Sequence, residues 1–174
     1  PGPLWNRVAR QLAAIDGRSL SEHARAFALL NMSMADGLIS VWESKYRYTF
    51  WRPETAIRAG DTDGNRKTEP DPDFKPFILT PCHPSYPSGH AGVSNSASGI
   101  VRALWGNKHH SITLENPPAS TVSLHYTKIS DITRDIDDAR IYGGIHFRFD
   151  QDAGTEMGND IAKYIRKRYL RPRR

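Results

Sequence analysis

Residues 86–105 read YPSGHAGVSNSASGIVRALW, a proline-stiffened turn that leads into a predicted helix of small residues. Pro87 has a fixed φ and no N–H, and Ser88 is a good helix N-cap. Gly89 leaves the first backbone N–H groups open, and such groups at the start of a helix form an anion site. His90, in the first turn, would face the bound anion. The alternative is an ordinary capped helix with a surface histidine, and this stretch alone does not exclude it.

The composition is that of a globular chain with one domain and a hydrophobic core. The 174 residues are 38% hydrophobic, have a mean hydropathy of −0.60 and carry a formal net charge of +5. No run approaches the roughly 18–20 apolar residues of a membrane-spanning helix. The single cysteine, Cys82, excludes an internal disulfide. The basic residues 163–174 suit the dipole of a last helix, and without a nucleic-acid-binding motif beside them we expect no nucleic-acid partner.

Apolar residues recur at helical spacing through most of the chain, which predicts an all-α helical bundle with long irregular loops. Ser19 and Glu22 stand at a capping-box spacing, and Asp131 is a candidate cap further on. Apolar and polar residues alternate at positions 122–126, a pattern that fits either a short strand or an extended loop. The predicted helices span residues 4–14, about 19–42, 53–58, 90–105, 131–142 and 149–169. The predicted apolar side of the last helix is Ala153, Met157, Ile161, Tyr164 and Ile165.

Positive charges lie among aromatic residues at positions 42–53, WESKYRYTFWRP. Lys45 and Arg52 are seven residues apart, and two turns of one helix would place both on the same side. We expect this aromatic surface to be buried and the two charges within it to point at a ligand. The alternative is solvated surface charge.

Residues 60–87 hold six prolines and are predicted to form an irregular loop. A loop of this length in a compact domain usually serves a function, and this one would bring His83 and Ser88 together. Its beginning, residues 61–65, is similar to the start of a calcium loop. Pro72 stands where the closing acidic ligand is needed, so a simple turn is the better interpretation.

A third polar element, RIYGGIHFRFD, occupies residues 140–150. Asp150 lies one helical turn beyond His146, where a carboxylate can hold one ring nitrogen and leave the other as a nucleophile or metal ligand. A purely structural His–Asp pair is the alternative. Taken together, the three elements supply one lysine, two arginines, a helix N-terminus and two histidines. This set suits a tetrahedral oxyanion.

The order and spacing of the three elements resemble the signature of the superfamily that joins vanadium-dependent haloperoxidases, type 2 phosphatidic acid phosphatases and bacterial acid phosphatases. The resemblance covers roughly residues 36–165. It implies that the site binds vanadate, or phosphate in its place. The oxygens would be bound by Lys45, Arg52, Ser88, Gly89 and Arg140. The remaining catalytic roles would fall to His146 as vanadium ligand or phosphorylated nucleophile, His90 as acid–base residue, and Asp150 as the partner of His146.

Two positions favour the haloperoxidase branch. Trp42, three residues before Lys45, matches an aromatic residue that lines the halide region in that branch. His83 stands where algal bromoperoxidases have histidine and the fungal chloroperoxidase has phenylalanine, although a loop histidine in solvent is the alternative. One position departs from the pattern, because Ala139 replaces the serine usual in the third element.

The resemblance implies a vanadate-dependent haloperoxidase that uses hydrogen peroxide to oxidise halide, with bromide favoured, to hypohalous acid for an organic acceptor. Two alternatives stay open: a phosphomonoesterase with a phosphohistidine, and a truncated domain that binds an oxyanion without catalysis. Residues 1–174 would be a single C-terminal-type catalytic bundle, with 60–87 as its active-site loop. Its partner would be an N-terminal bundle that this chain lacks, or a second copy. The resemblance is compatible with a secreted or periplasmic protein but does not fix the location.

Overall fold

A computed structural model describes residues 1–115 and 121–171, and within them the predicted all-α class is confirmed. The α-helices are α1 (Gly2–Ala13), α2 (Leu20–Tyr48), α3 (Pro53–Arg58), α4 (Gly89–Trp105), α5 (Ile129–Tyr142) and α6 (Arg148–Arg168). A 3₁₀ turn, Gly60–Thr62, follows α3. The strands β1 (Ile112–Glu115) and β2 (Ser123–Tyr126) pair antiparallel, with Ile112 opposite Tyr126. None of the described helices combines the length and apolar character needed to cross a membrane.

Helix α4 lies at the centre of the bundle and contacts α1, α2, α5 and α6. Every residue from Ala91 to Ser98 is buried, because neighbouring helices cover α4 on all sides. Ser88 caps the helix as predicted, since its hydroxyl accepts the N–H of Ala91 at 3.3 Å. Apolar side chains of the surrounding helices pack with Ile100 of α4 to complete the core and include Trp5, Leu29, Ile129 and Ile165. The first turn of α4 is therefore held in place by the whole bundle.

Small residues bring α6 against α4. The predicted apolar side of α6 is correct at Ile165, which is buried, and at Ile161, which is partly buried against the core, but wrong at Tyr164, which is 53% exposed. The fully buried apolar and glycine positions are Gly154, Gly158, Ala162 and Ile165. A Cβ on Gly158 would lie 2.4 Å from the carbonyl oxygen of Gly92 and 2.8 Å from the backbone nitrogen of Ser96. The two backbones therefore touch, which fixes α6 closely against the helix that begins at Gly89.

Two helix termini differ from the predictions, while the capping box of Ser19 and Glu22 is confirmed. Helix α5 begins at Ile129 with Lys128 as N-cap, so the predicted cap Asp131 lies inside the first turn. Helix α2 ends at Tyr48, because Thr49 adopts a left-handed conformation with φ of 45°. The prediction of one helix carrying both Lys45 and Arg52 is therefore wrong.

The expected burial of the aromatic residues at positions 42–51 is wrong for three of the five rings, while Trp42 and Trp51 are half-buried. Tyr46 is 63% exposed, Tyr48 is 58% exposed and Phe50 is 38% exposed. Two charged residues of this segment are buried, since Lys45 is 1% exposed and Arg52 is 5% exposed, whereas its other two charged residues are exposed. Helix α2 turns its lysine inward and its tyrosines outward, which is the reverse of what side-chain hydropathy favours.

Candidate active site

A cavity of about 190 Å³ opens where α2, the loop before α4, the start of α4 and the end of α5 meet. Eight of the predicted site residues line it: Trp42, Lys45, Arg52, His83, Gly89, His90, Arg140 and His146. The other two, Ser88 and Asp150, are fully buried beside it, and the N–H of Ser88 donates to the carbonyl of Asp150 at 2.8 Å. Three larger surface cavities, of about 410, 570 and 680 Å³, contain none of these ten residues.

Lys45 extends from the last turn of α2 to the loop before α4. Its ammonium donates to the carbonyl of Pro84 at 2.7 Å and to that of Ser85 at 2.8 Å. Burial lowers the pKa of Lys45 to about 7, with Arg52 adding to the shift and Asp150 opposing it. An ammonium has three donors, so one remains for a ligand. A bound anion would favour the charged form of this side chain.

Arg52, the N-cap residue of α3, joins the loop before α4 to the turn before α6. Its Nε donates to the carbonyl of His83 at 2.9 Å, and one terminal nitrogen donates to the carbonyl of Ile145 at 2.7 Å. The other lies 3.0 Å from His83 Nδ1. The His83 ring packs edge-on against Trp42 with 4.6 Å between centroids. His83 is therefore part of the cavity wall, and the alternative of a solvated loop histidine is wrong.

His146 follows the glycine pair at the end of α5, and Asp150 lies in the first turn of α6. His146 Nδ1 is 2.8 Å from Asp150 Oδ2. Because a carboxylate only accepts, Nδ1 carries the hydrogen, and Nε2 accepts from Arg52 at 3.1 Å. Burial holds the pKa of His146 at about 4 although Asp150 opposes the shift, so the ring is neutral near pH 7. His146 lines the cavity, and its Nε2 could bind a metal or attack once a ligand displaces the hydrogen bond from Arg52.

Several donors around the cavity have no acceptor within the described residues. The backbone N–H groups of Gly89 and His90 open α4 and have no protein partner there. Arg140 Nε is buried and also lacks a hydrogen bond in that part of the chain. Burial, and next Arg140, lower the pKa of His90 to about 4, so this ring is neutral as well. Unpaired buried donors are costly, and an oxyanion is the ligand that would satisfy all of them.

The donor set also fits vanadate in particular. Three cationic side chains, Lys45, Arg52 and Arg140, line the cavity. The Asp150 carboxylate raises the pKa of Lys45 and of Arg52 and so partly offsets the lowering of both by burial. A dense positive field with free N–H donors matches the oxygens of a tetrahedral anion. The neutral imidazole of His146 carries its lone pair on Nε2, where Arg52 now donates, and such a nitrogen is a suitable ligand for a transition metal once that hydrogen bond is displaced. The residues present therefore fit the cofactor that the sequence pattern implies.

Ser85 and Pro84 also belong to the site, although no motif in the sequence marks them. Their carbonyls hold the Lys45 ammonium, and the Ser85 hydroxyl donates to Asp150 Oδ2. Every residue has a backbone carbonyl, so the sequence gives no signal that the carbonyl of Pro84 binds Lys45. Ser85 lies three residues before Ser88, and its position in a proline-rich turn gives no pattern that distinguishes it from an ordinary loop serine.

Known proteins share this architecture. The vanadium chloroperoxidase of Curvularia inaequalis is 24% identical in an alignment of 160 positions that covers 78% of this chain and 25% of that protein. The crystal structure of the first bacterial vanadium-dependent iodoperoxidase superimposes with a TM-score of 0.83 and 28% identity, over 96% of this chain and 38% of that one. A holo-type bacterial vanadium-dependent chloroperoxidase shares the fold with a TM-score of 0.73 and 21% identity, over 95% of this chain and 41% of that one.

These relatives are much longer proteins. The chain spans a quarter of the fungal chloroperoxidase and about two fifths of the two bacterial enzymes. Residues 25–173 match the family described as the VCPO second helical-bundle domain, which is most of the chain and includes every residue of the cavity except Pro1. The chain therefore belongs to the family of the VCPO second helical-bundle domain, within the vanadium haloperoxidases.

Proposed function

We propose that this chain is the vanadate-binding part of a haloperoxidase that oxidises halide, with bromide favoured, by means of hydrogen peroxide. The supporting observation is the meeting of three cations, two free backbone N–H groups and a neutral histidine nitrogen at one cavity of about 190 Å³. The hypohalous acid formed would halogenate an organic acceptor.

In this proposal each polar group has a defined partner. Lys45, Arg52 and Arg140 would hold the vanadate oxygens, together with the Gly89 N–H at the start of α4 and the Ser88 hydroxyl. His146 would hold vanadium through Nε2, because Asp150 holds Nδ1–H. When bound, the group would supply Lewis-acid activation of hydrogen peroxide toward attack by halide, without a change in oxidation state.

Proton transfer falls to His90. Its pKa of about 4 keeps the ring neutral, so it can accept a proton from hydrogen peroxide as the peroxide approaches. Lys45, with its third donor directed at the ligand, would polarise the oxygen that halide attacks. Trp42 and His83 are the candidate halide contacts, since their rings share one wall of the cavity.

We also infer that residues 1–174 act as the C-terminal-type bundle of such an enzyme, with residues 60–87 as its active-site loop. Pro81 and His83, from the end of that segment, line the cavity. A second bundle or a second copy would complete the walls. The exposed rings of Tyr46, Tyr48 and Phe50 beside the site are compatible with a covered surface.

The experiment compares two activities of the same preparation. The protein is stripped of phosphate, titrated with orthovanadate, and assayed for peroxide-dependent bromination of a phenolic dye, with chloride and iodide as alternative halides. Release of p-nitrophenol from its phosphate ester is measured without vanadate. We expect bromination that saturates with vanadate, and faster turnover with bromide than with chloride.

Other outcomes distinguish the alternatives. Phosphate-ester hydrolysis without bromination would contradict the proposal and assign the site to a phosphatase with His146 as nucleophile. Vanadate binding without either activity would indicate an oxyanion-binding domain that needs a further bundle for catalysis.

A further inference from the structure

Ser85 contacts three of the groups around the cavity although no motif includes it. It is fully buried in the loop before α4. Its carbonyl accepts from the Lys45 ammonium at 2.8 Å, and its hydroxyl donates to Asp150 Oδ2 and lies 3.4 Å from His146 Nδ1. Its own N–H donates to the carbonyl of Phe50 at 2.9 Å, which fixes the backbone.

The Ser85 hydroxyl donates to the carboxylate of Asp150, whose two oxygens differ in their number of hydrogen-bond donors. Asp150 Oδ2 accepts from the Ser85 hydroxyl, from His146 Nδ1 at 2.8 Å and from the Phe147 N–H at 3.1 Å. Its other oxygen, Oδ1, is buried without a hydrogen bond to any described residue. The orientation of the carboxylate therefore depends on three donors that all meet one oxygen, and Ser85 supplies the one from outside the segment 146–150.

We propose that Ser85 is a positioning residue that aligns His146 through Asp150 and Lys45 through its own carbonyl, and so sets oxyanion affinity at this cavity. The inference rests on the proposed function, because it assigns His146 Nε2 to vanadium. Without the hydroxyl, the carboxylate can turn away from Nδ1–H, and the Arg52 donation to Nε2 at 3.1 Å is then the main contact that holds the imidazole in this tautomer. Partners of this kind typically contribute about 10- to 100-fold to metal affinity.

The test is Ser85→Ala, which removes the hydroxyl and keeps the carbonyl that binds Lys45. Ser33→Ala is the matched control: Ser33 is equally buried and donates its hydroxyl to a backbone carbonyl, that of Ser96, away from the cavity. Two quantities are measured. The first is the tautomer of His146 in the vanadate-free protein, from the ¹⁵N shifts of its ring. The second is the dissociation constant for orthovanadate.

We expect Ser85→Ala to populate the Nε2–H tautomer of His146 and to weaken vanadate binding about tenfold, while Ser33→Ala changes neither. If Ser85→Ala fails to fold, Ser85→Cys gives the same test, since a thiol is a weaker donor of similar size and an intermediate loss is expected. An unchanged tautomer, or vanadate affinity within about twofold of the wild type, would overturn the proposal. If the wild type binds no vanadate, the proposed function fails, and the tautomer comparison still decides the role of Ser85.

Discussion

His146→Ala is expected to abolish the proposed peroxide-dependent bromination and to weaken vanadate binding by more than about 100-fold. The physical reason is that Nε2 is the atom proposed to bind vanadium, and loss of a direct ligand must exceed the roughly 10- to 100-fold loss typical of an outer partner. His146 is 6% exposed, and its replacement by alanine also leaves Asp150 and Arg52 without the buried partner they share. Binding is measured by calorimetry and turnover by dye bromination under saturating peroxide.

His125→Ala is the control for this variant. His125 lies on β2, is exposed and contacts Thr113, so its loss is expected to leave both quantities unchanged. Retention of wild-type vanadate affinity by His146→Ala would show that the anion binds elsewhere or through the cations alone.

Gly158→Ala is expected to destabilise the fold by about 3 kcal/mol or more. The new Cβ would lie 2.4 Å from the Gly92 carbonyl oxygen and 2.8 Å from the Ser96 nitrogen. Both contacts are to the backbone of the central helix, which cannot rotate away as a flexible side chain can. Helix α6 must therefore move outward, and Asp150 at its start moves with it. The free energy of unfolding is measured by denaturant titration.

The matched control is Gly2→Ala. A Cβ at Gly2, in the first turn of α1, meets no atom within 4 Å, so a change of no more than about 0.5 kcal/mol is expected. Wild-type stability in Gly158→Ala would contradict the close contact of α4 and α6 on which the placement of Asp150 depends.

Local sequence patterns predicted most of the helices and the polar groups of the cavity. Ser88 signals the start of α4 because a hydroxyl cap has a short-range chemical cause, and Ser19 with Glu22 signals α2 in the same way. The spacing of His146 and Asp150 also predicted their hydrogen bond, since both groups lie within one turn. Such features depend on a few consecutive residues, and a single sequence contains them in full.

The remaining features depend on contacts between distant segments. Thr49 ends α2 in a left-handed conformation that is unusual for a β-branched residue, so no local signal separates Lys45 from Arg52. The packed face of α6 runs through Gly154 and Gly158, which hydropathy does not mark as buried, because backbone contact replaces side-chain burial there. Ser85 gains its partners only when the loop folds onto α2 and α6.

The most direct test of the oxyanion site is a calorimetric titration of the phosphate-free protein with orthovanadate. The arrangement of Lys45, Arg52, Arg140, His146 and the first turn of α4 predicts saturable binding of one vanadate per chain, displaced by phosphate and lost in Arg52→Ala. Absence of saturable binding, or binding that survives Arg52→Ala and ignores phosphate, would contradict the assignment of this cavity as the vanadate site.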